Sequence, residues 1–398
     1  MLMARQQHTH VMGKSNKLAM RLHALPLVNA ILAVFTVGLC WGIIIPVTSV
    51  ILEGNGIPTP LIGFTATAIF IGMAVSSPFV GRWIERFGIK PVVFAGLSGS
   101  GVLMIILALF TSVPLWIAFR FVLGITFSAV IISSEILINR VSTEDNRGRN
   151  LGLYAFAFSF SLMVTPLALW LLKFGLGVPF IIGGAVCLIA SFLITLTMPG
   201  MQEVPSALPP ALRLFQRISL SLVTNCVAGF MEGALIALIP LYTLREGFDE
   251  AQTGILIFAF LLGHGGGPPF IGILADRLGL RRILGLVYGL GTAAFMFILI
   301  CPLRMGLAFP LLLAGMSVGA LYPLAVGLIG ERLQSSELPR GNAMITSAYG
   351  VGSILGPVVP ALIMHVSVPQ SLFIIAAVIY TAVLLVMRLQ KHYYSERL

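Results

Sequence analysis

The chain has 398 residues, of which 58% are hydrophobic and only 10% charged, with a mean hydropathy of +1.02. A soluble domain keeps about a quarter of its residues charged to face water, so this composition excludes a mostly aqueous surface and points to lipid. The net charge of +10 does not mark a nucleic-acid binder, because the basic residues lie in short segments between apolar runs and do not gather on one face.

Residues 1–26 read as a basic N-terminal tail carrying Arg5, Lys14, Lys17 and Arg21, with no small-residue cleavage site after the first apolar run. Runs of about 20 apolar residues, enough to cross the hydrocarbon core, then follow near 28–51, 61–82, 91–110, 113–138, 149–172 and 177–198. The segment 199–218, with Pro199, Pro205, Pro209 and Pro210, reads as a cytoplasmic linker. A second set of runs lies near 219–242, 252–273, 282–301, 306–329, 341–364 and 369–388. The expected organisation is therefore an all-α polytopic protein of twelve transmembrane helices, with six-helix bundles over 27–198 and 219–389. Residues 390–398 form a short tail.

Of the 24 Lys and Arg residues, Lys173, Arg245 and Arg304 fall in outward loops and Arg120 inside a span; the other twenty fall in inward segments. By the positive-inside rule both termini are expected in the cytoplasm, with the chain in the plasma (inner) membrane. The four cysteines, Cys40, Cys187, Cys226 and Cys301, lie inside apolar runs without CxxC or Cys/His spacing. They predict neither a disulfide frame nor a metal site.

Sliding the sequence against itself by 191 positions superposes Gly38 on Gly229, Gly42 on Gly233, Gly63 on Gly254, and Gly72 on Gly263. Pro78 then meets Pro269, Gly124 meets Gly315, and Pro166 meets Pro357. Glycine and proline have backbone roles that other residues replace poorly, so the coincidence predicts two copies of one helical plan. After the second span come Gly81, Glu85, Arg86, Gly88 and Lys90; after the eighth, in the same register, come Gly272, Asp276, Arg277, Gly279 and Arg281. Gly81 and Gly272 are expected to permit close helix approach, and Gly88 and Gly279 a sharp turn. This paired segment resembles the signature loop of the major facilitator superfamily. The resemblance implies two like-oriented six-helix halves and a cytoplasmic latch in the outward-facing state. The family's basic residue just after the second glycine is Ile89 and Leu280 here, so Lys90 and Arg281 are left to serve.

Ionised groups at bilayer depth cost several kcal/mol each, so every survivor needs a reason. Glu232 is about a dozen residues into the seventh span and is the only carboxylate so deep. The resemblance places that span on the central cavity, which makes Glu232 a candidate for proton coupling or substrate binding. Its repeat-mate is Trp41, a candidate stacking surface. Arg120, followed four residues later by Gly124, resembles a fourth-span pattern tied to proton coupling in this family. It is a candidate partner for Glu232. Glu135, on the same helix, is expected to accept from Arg86 or Lys90 in the latch. His264, among Gly263, Gly265, Gly266, Gly267 and two prolines, reads either as a proton relay or as a packed structural histidine. Gly352, Gly356 and Pro357 resemble the glycine–proline element of antiporters, displaced from the fifth span, where only Pro166 remains; all four are expected to pack helices.

No HExxH or clustered carboxylates occur, so no enzyme is predicted, and no cofactor. The expected function is secondary active transport by alternating access, with proton-coupled efflux of a small amphipathic or drug-like solute by antiport. The alternative is a proton symporter or facilitator importing a polar nutrient or organic anion. The expected partners are a small-molecule substrate, protons and the lipid bilayer, and the chain is expected to work as a monomer.

Overall fold

The computed structural model describes residues 2–110, 112–142, 147–198, 212–300, 305–334 and 337–395. Twelve of its helices are long and apolar enough to cross a membrane. In the first half these are α1 (Leu25–Gly54), α2 (Thr59–Phe87), α3 (Ile89–Leu109), α4 (Val113–Val141), α5 (Gly152–Phe174) and α6 (Val178–Thr197). The second half has α7 (Ser219–Arg245), α8 (Glu250–Leu278), α9 (Leu280–Ile300), α10 (Ala308–Arg332), α11 (Arg340–Val366) and α12 (Ser371–Leu389). The first helix runs back to Leu2, so the segment expected as a tail is helical. Residues 199–211, most of the expected linker, and Cys301 lie outside the described residues.

The repeat extends from residues to contacts. A Cβ on Gly72 would collide with the Phe121 carbonyl, and one on Gly263 with the Leu312 carbonyl; Phe121 and Leu312 are themselves 191 apart. Gly124 meets Ile69 and Gly315 meets Phe260 in the same relation. Each half therefore joins its second and fourth helices through the same two backbone contacts, which only glycine allows.

The halves meet through a seam with the same symmetry. Gly63 of α2 lies against Pro357 of α11, and Gly254 of α8 against Pro166 of α5, at 3.4 Å for an added Cβ. Thr67 Oγ1 donates to the Ile354 carbonyl at 2.9 Å across this seam. Arg245, ending α7, donates through Nε to Glu53 at 2.7 Å and through Nη2 to Thr59 at 2.6 Å. Because α1 starts at the face where the termini lie, all these contacts are in the opposite, distal half of the molecule. The distal face is sealed.

The terminal face differs from expectation. Glu85 and Arg86 belong to the last turns of α2, which ends at Phe87, and α3 begins at Ile89; the turn is Gly88 alone. Gly279 is likewise the single residue between α8 and α9. Both glycines sit at positive φ, +85° and +87°. Replacing either by alanine forces a left-handed conformation costing about 1–2 kcal/mol; each variant is expected to melt lower in detergent, and the double variant lower still. Gly81 and Gly272 do not mediate close packing as expected: a Cβ on either would meet open space.

Candidate functional site

A file of polar side chains runs from the terminal face into the bundle. Depths follow from helix rise, about 1.5 Å per residue. Glu135 lies six residues from the end of α4, about 9 Å in. Tyr322 of α10 and Tyr349 of α11 lie ten and nine residues in, at about 15 Å and 14 Å. Glu232 of α7 and His264 of α8 are thirteen and fourteen residues in, at about 20 Å and 21 Å. Glu135 and Tyr349 are partly exposed and Tyr322 is 39% exposed.

Glu232 and His264 form the deepest pair. Their Oε2 and Nε2 are 3.4 Å apart, with side chains 12% and 7% exposed. His264 Nδ1 has no hydrogen-bond partner among the described residues. The histidine backbone is wedged against Gly315 and Gly319 of α10, and its neighbour Gly265 faces Ser159 and Met163 of α5, across the seam. A change in the pair thus acts on the helix that seals the halves. Tyr349 is within electrostatic reach of Glu232, and its ring meets that of Tyr322 edge-on at 5.8 Å.

Arg120 does not reach Glu232. It is fully buried, and Nη1 donates to Thr65 Oγ1 of α2 at 2.9 Å. The side chain points into the α2–α4 packing, where the repeat places Leu311 and Leu256 in the second half. Trp41 is not a cavity wall either. It is 3% exposed, stacks on Phe127 at 6.0 Å, and meets Phe70 and Phe158 edge-on. Helices α2, α4 and α5 close over it.

Glu135 makes no ion pair with Arg86 or Lys90 here; its charge faces Tyr154 and Tyr322. Arg86 lies by Phe87 at the end of α2. Asp276 and Gly272 open onto a cavity of about 200 Å³ between α8 and α10. Gly352 and Gly356 lie against the backbone of Cys226 and Phe230 on α7, a packing role, and Pro166 and Pro357 form the seam.

Tyr322, Tyr349 and Tyr154 are missed by reading for charge alone. The signal that finds them is broken repeat symmetry. Tyr349 corresponds to Phe158, Tyr322 to Ile131, His264 to Met73, and Glu232 to Trp41. The Trp41–Phe158 ring contact is thus the dry image of the Glu232–Tyr349 pair.

Twelve helices long and apolar enough to cross a membrane stand in two like halves, joined by a seam in the distal half. The family model of the Major Facilitator Superfamily matches residues 30–220 and 221–396. The chain belongs to this superfamily. It is 29% identical over 373 residues to the uncharacterized MFS-type transporter YfkF of Bacillus subtilis, covering 91% of this chain and 94% of that one. To the uncharacterized MFS-type transporter YcaD of Salmonella enteritidis it is 28% identical over 361 residues, covering 85% and 88%. Among solved structures, a point mutant of the nucleoside transporter NupG superposes with a TM-score of 0.75 at 12% identity, covering 91% of this chain and 99% of that one. A bacterial homolog of the human lysosomal transporter Spinster, inward-facing and occupied, gives 0.76 at 12% identity, covering 92% and 96%. At such identities the shared property is the fold.

Proposed function

We propose that this transporter is a proton-coupled exporter of small amphipathic solutes across the plasma (inner) membrane, exchanging one solute for protons. The observation that carries the reading is the Glu232–His264 pair at mid-depth, 3.4 Å apart. It joins α7 to α8, a helix of the seam. A carboxyl–imidazole pair at that depth offers a site for a coupled proton. The twenty basic residues of the inward segments support a cytoplasmic terminal face, and on that reading the conformation described is inward-facing. In it, solute enters from the cytoplasm and displaces the proton. Burial of Arg120 removes the fixed positive charge that an imported organic anion would need.

The test uses everted vesicles, which acidify their lumen, and a panel of amphipathic compounds. An exported solute is expected to collapse the pH gradient on addition and to accumulate inside. Accumulation that is indifferent to the gradient, or uptake only into right-side-out vesicles, overturns the reading.

A further inference from the structure

The proposed coupling leaves one buried charge without a role. Arg120 of α4 is fully buried, seven residues after Val113 and so about 10 Å from the distal end of its helix. Its guanidinium stays protonated in a protein, and a buried charge is stable only when it is paired. Nη1 donates to Thr65 Oγ1 at 2.9 Å. That hydroxyl gives its own proton to the Ile62 carbonyl at 2.7 Å, so Thr65 offers a lone pair and no charge. Nε and Nη2 have no hydrogen-bond partner among the described residues. They form the same edge through which Arg245 grips Glu53, with Nε at 2.7 Å and Nη2 at 3.1 Å. In the distal part of the first half Glu53 is the one acid among the described residues, and Arg245 holds it. Glu135, on the helix of Arg120 itself, is 15 residues and about 22 Å away.

Packing does not require this charge. The repeat matches Arg120, Thr65 and Thr48 to Leu311, Leu256 and Ile239, and all six are at most 1% exposed. Thr48 belongs to the group by register. Trp41 of α1 stacks on Phe127 of α4 at 6.0 Å. Two turns further along α1, and two turns back along the antiparallel α4, the same helix faces carry Thr48 and Arg120. The second half builds this layer from hydrocarbon, whereas the first keeps a guanidinium and two hydroxyls. A fork of two N–H groups carrying one positive charge in a dry layer recognises a monovalent anion. The close packing around it limits that anion to a few atoms, because a drug-sized solute would displace three fully buried side chains. We propose that Arg120 holds a small inorganic anion, chloride above all, between Nε and Nη2 as a resident counter-ion of the first half. The ion neutralises the layer shared by α1, α2 and α4. It is not the transported solute, and its presence does not depend on the proton-coupled reading.

The test is equilibrium dialysis of the purified full chain in detergent against radiolabelled chloride. It is paired with thermal melting in chloride and in gluconate at equal ionic strength. The wild type is expected to bind chloride saturably and to melt higher in chloride than in gluconate, an anion too large for the layer. Bromide and nitrate are expected to compete. R120Q is expected to weaken chloride binding by roughly tenfold or more and to melt alike in both salts. A merely structural arginine would lower both melting points and leave no chloride dependence in the wild type. The triple variant R120L/T65L/T48I copies the apolar layer of the second half and is likewise expected to lose chloride binding. It decides the matter should R120Q fail to purify as a single species. Absence of saturable chloride binding in the wild type, binding retained in either variant, or equal melting of the wild type in the two salts overturns the site.

Discussion

Vesicles carrying Glu232→Gln are expected to lose gradient-driven transport completely while retaining exchange of solute down its own gradient. Glutamine keeps the shape and a donor and acceptor for His264, so the packing of α7 on α8 survives. What it removes is the capacity to bind and release a proton. If coupling runs through this residue, the variant turns an active transporter into a facilitator, and a pH step no longer changes the rate. Retained dependence on the pH gradient in E232Q would refute the assignment. His264→Gln is expected to leave a weaker, slower coupling, because the carboxyl remains but its proton partner is gone.

The second large effect is expected at the seam. A Cβ on Gly63 runs into the Pro357 carbonyl and lies against Ala361, whereas one on Gly254 finds only ordinary contact with Pro166 and Leu169. Overpacking of this kind costs about 1–3 kcal/mol, and here the cost falls only on the state with the distal face sealed. Gly63→Ala should therefore shift the balance of states toward a distal-open form by roughly five- to a hundredfold; Gly254→Ala should not. Spin labels at Arg86→Cys and Arg277→Cys, with the four native cysteines replaced, report the spacing of the terminal ends of α2 and α8. The expected result is a shorter population in Gly63→Ala and none in Gly254→Ala. Equal distance distributions in the two variants would remove the seam from the mechanism.

The membrane fold is readable from sequence because lipid imposes a coarse rule that each span obeys separately, and span limits follow within a few residues. Helix ends are less readable. Charged residues such as Arg82, Glu85 and Arg86 resemble a loop by hydropathy, yet α2 continues to Phe87 because interfacial helices keep their backbone bonds beyond the apolar core. The repeat is readable to the residue, since the glycines that define it are enforced by backbone collisions.

The candidate site is only half legible. Depth along a helix follows from counting, which singles out Glu232. Direction around a helix does not, and this is why Arg120 and Trp41 resemble cavity residues while they in fact fill the interior of the first half. Gly81 and Gly272 present a different limit. A sequence serves all the conformations of a transporter at once, and a residue needed for close packing in one state stands free in another.

The dry Trp41–Phe158 pair opposite the wet Glu232–Tyr349 pair has a bearing on energetics. A duplicated protein with an acid–histidine pair in both copies could carry two protons per turnover; under the proposed coupling, the one such pair here carries one. Exchange of one proton for one singly charged cation moves no net charge across the membrane. The electrical potential, worth about 2.3 kcal/mol per charge per 100 mV, then does no work on the cycle. Under the proposed coupling, such an exchange runs on the proton gradient alone and stops when the solute ratio across the membrane equals the proton ratio, whatever the voltage.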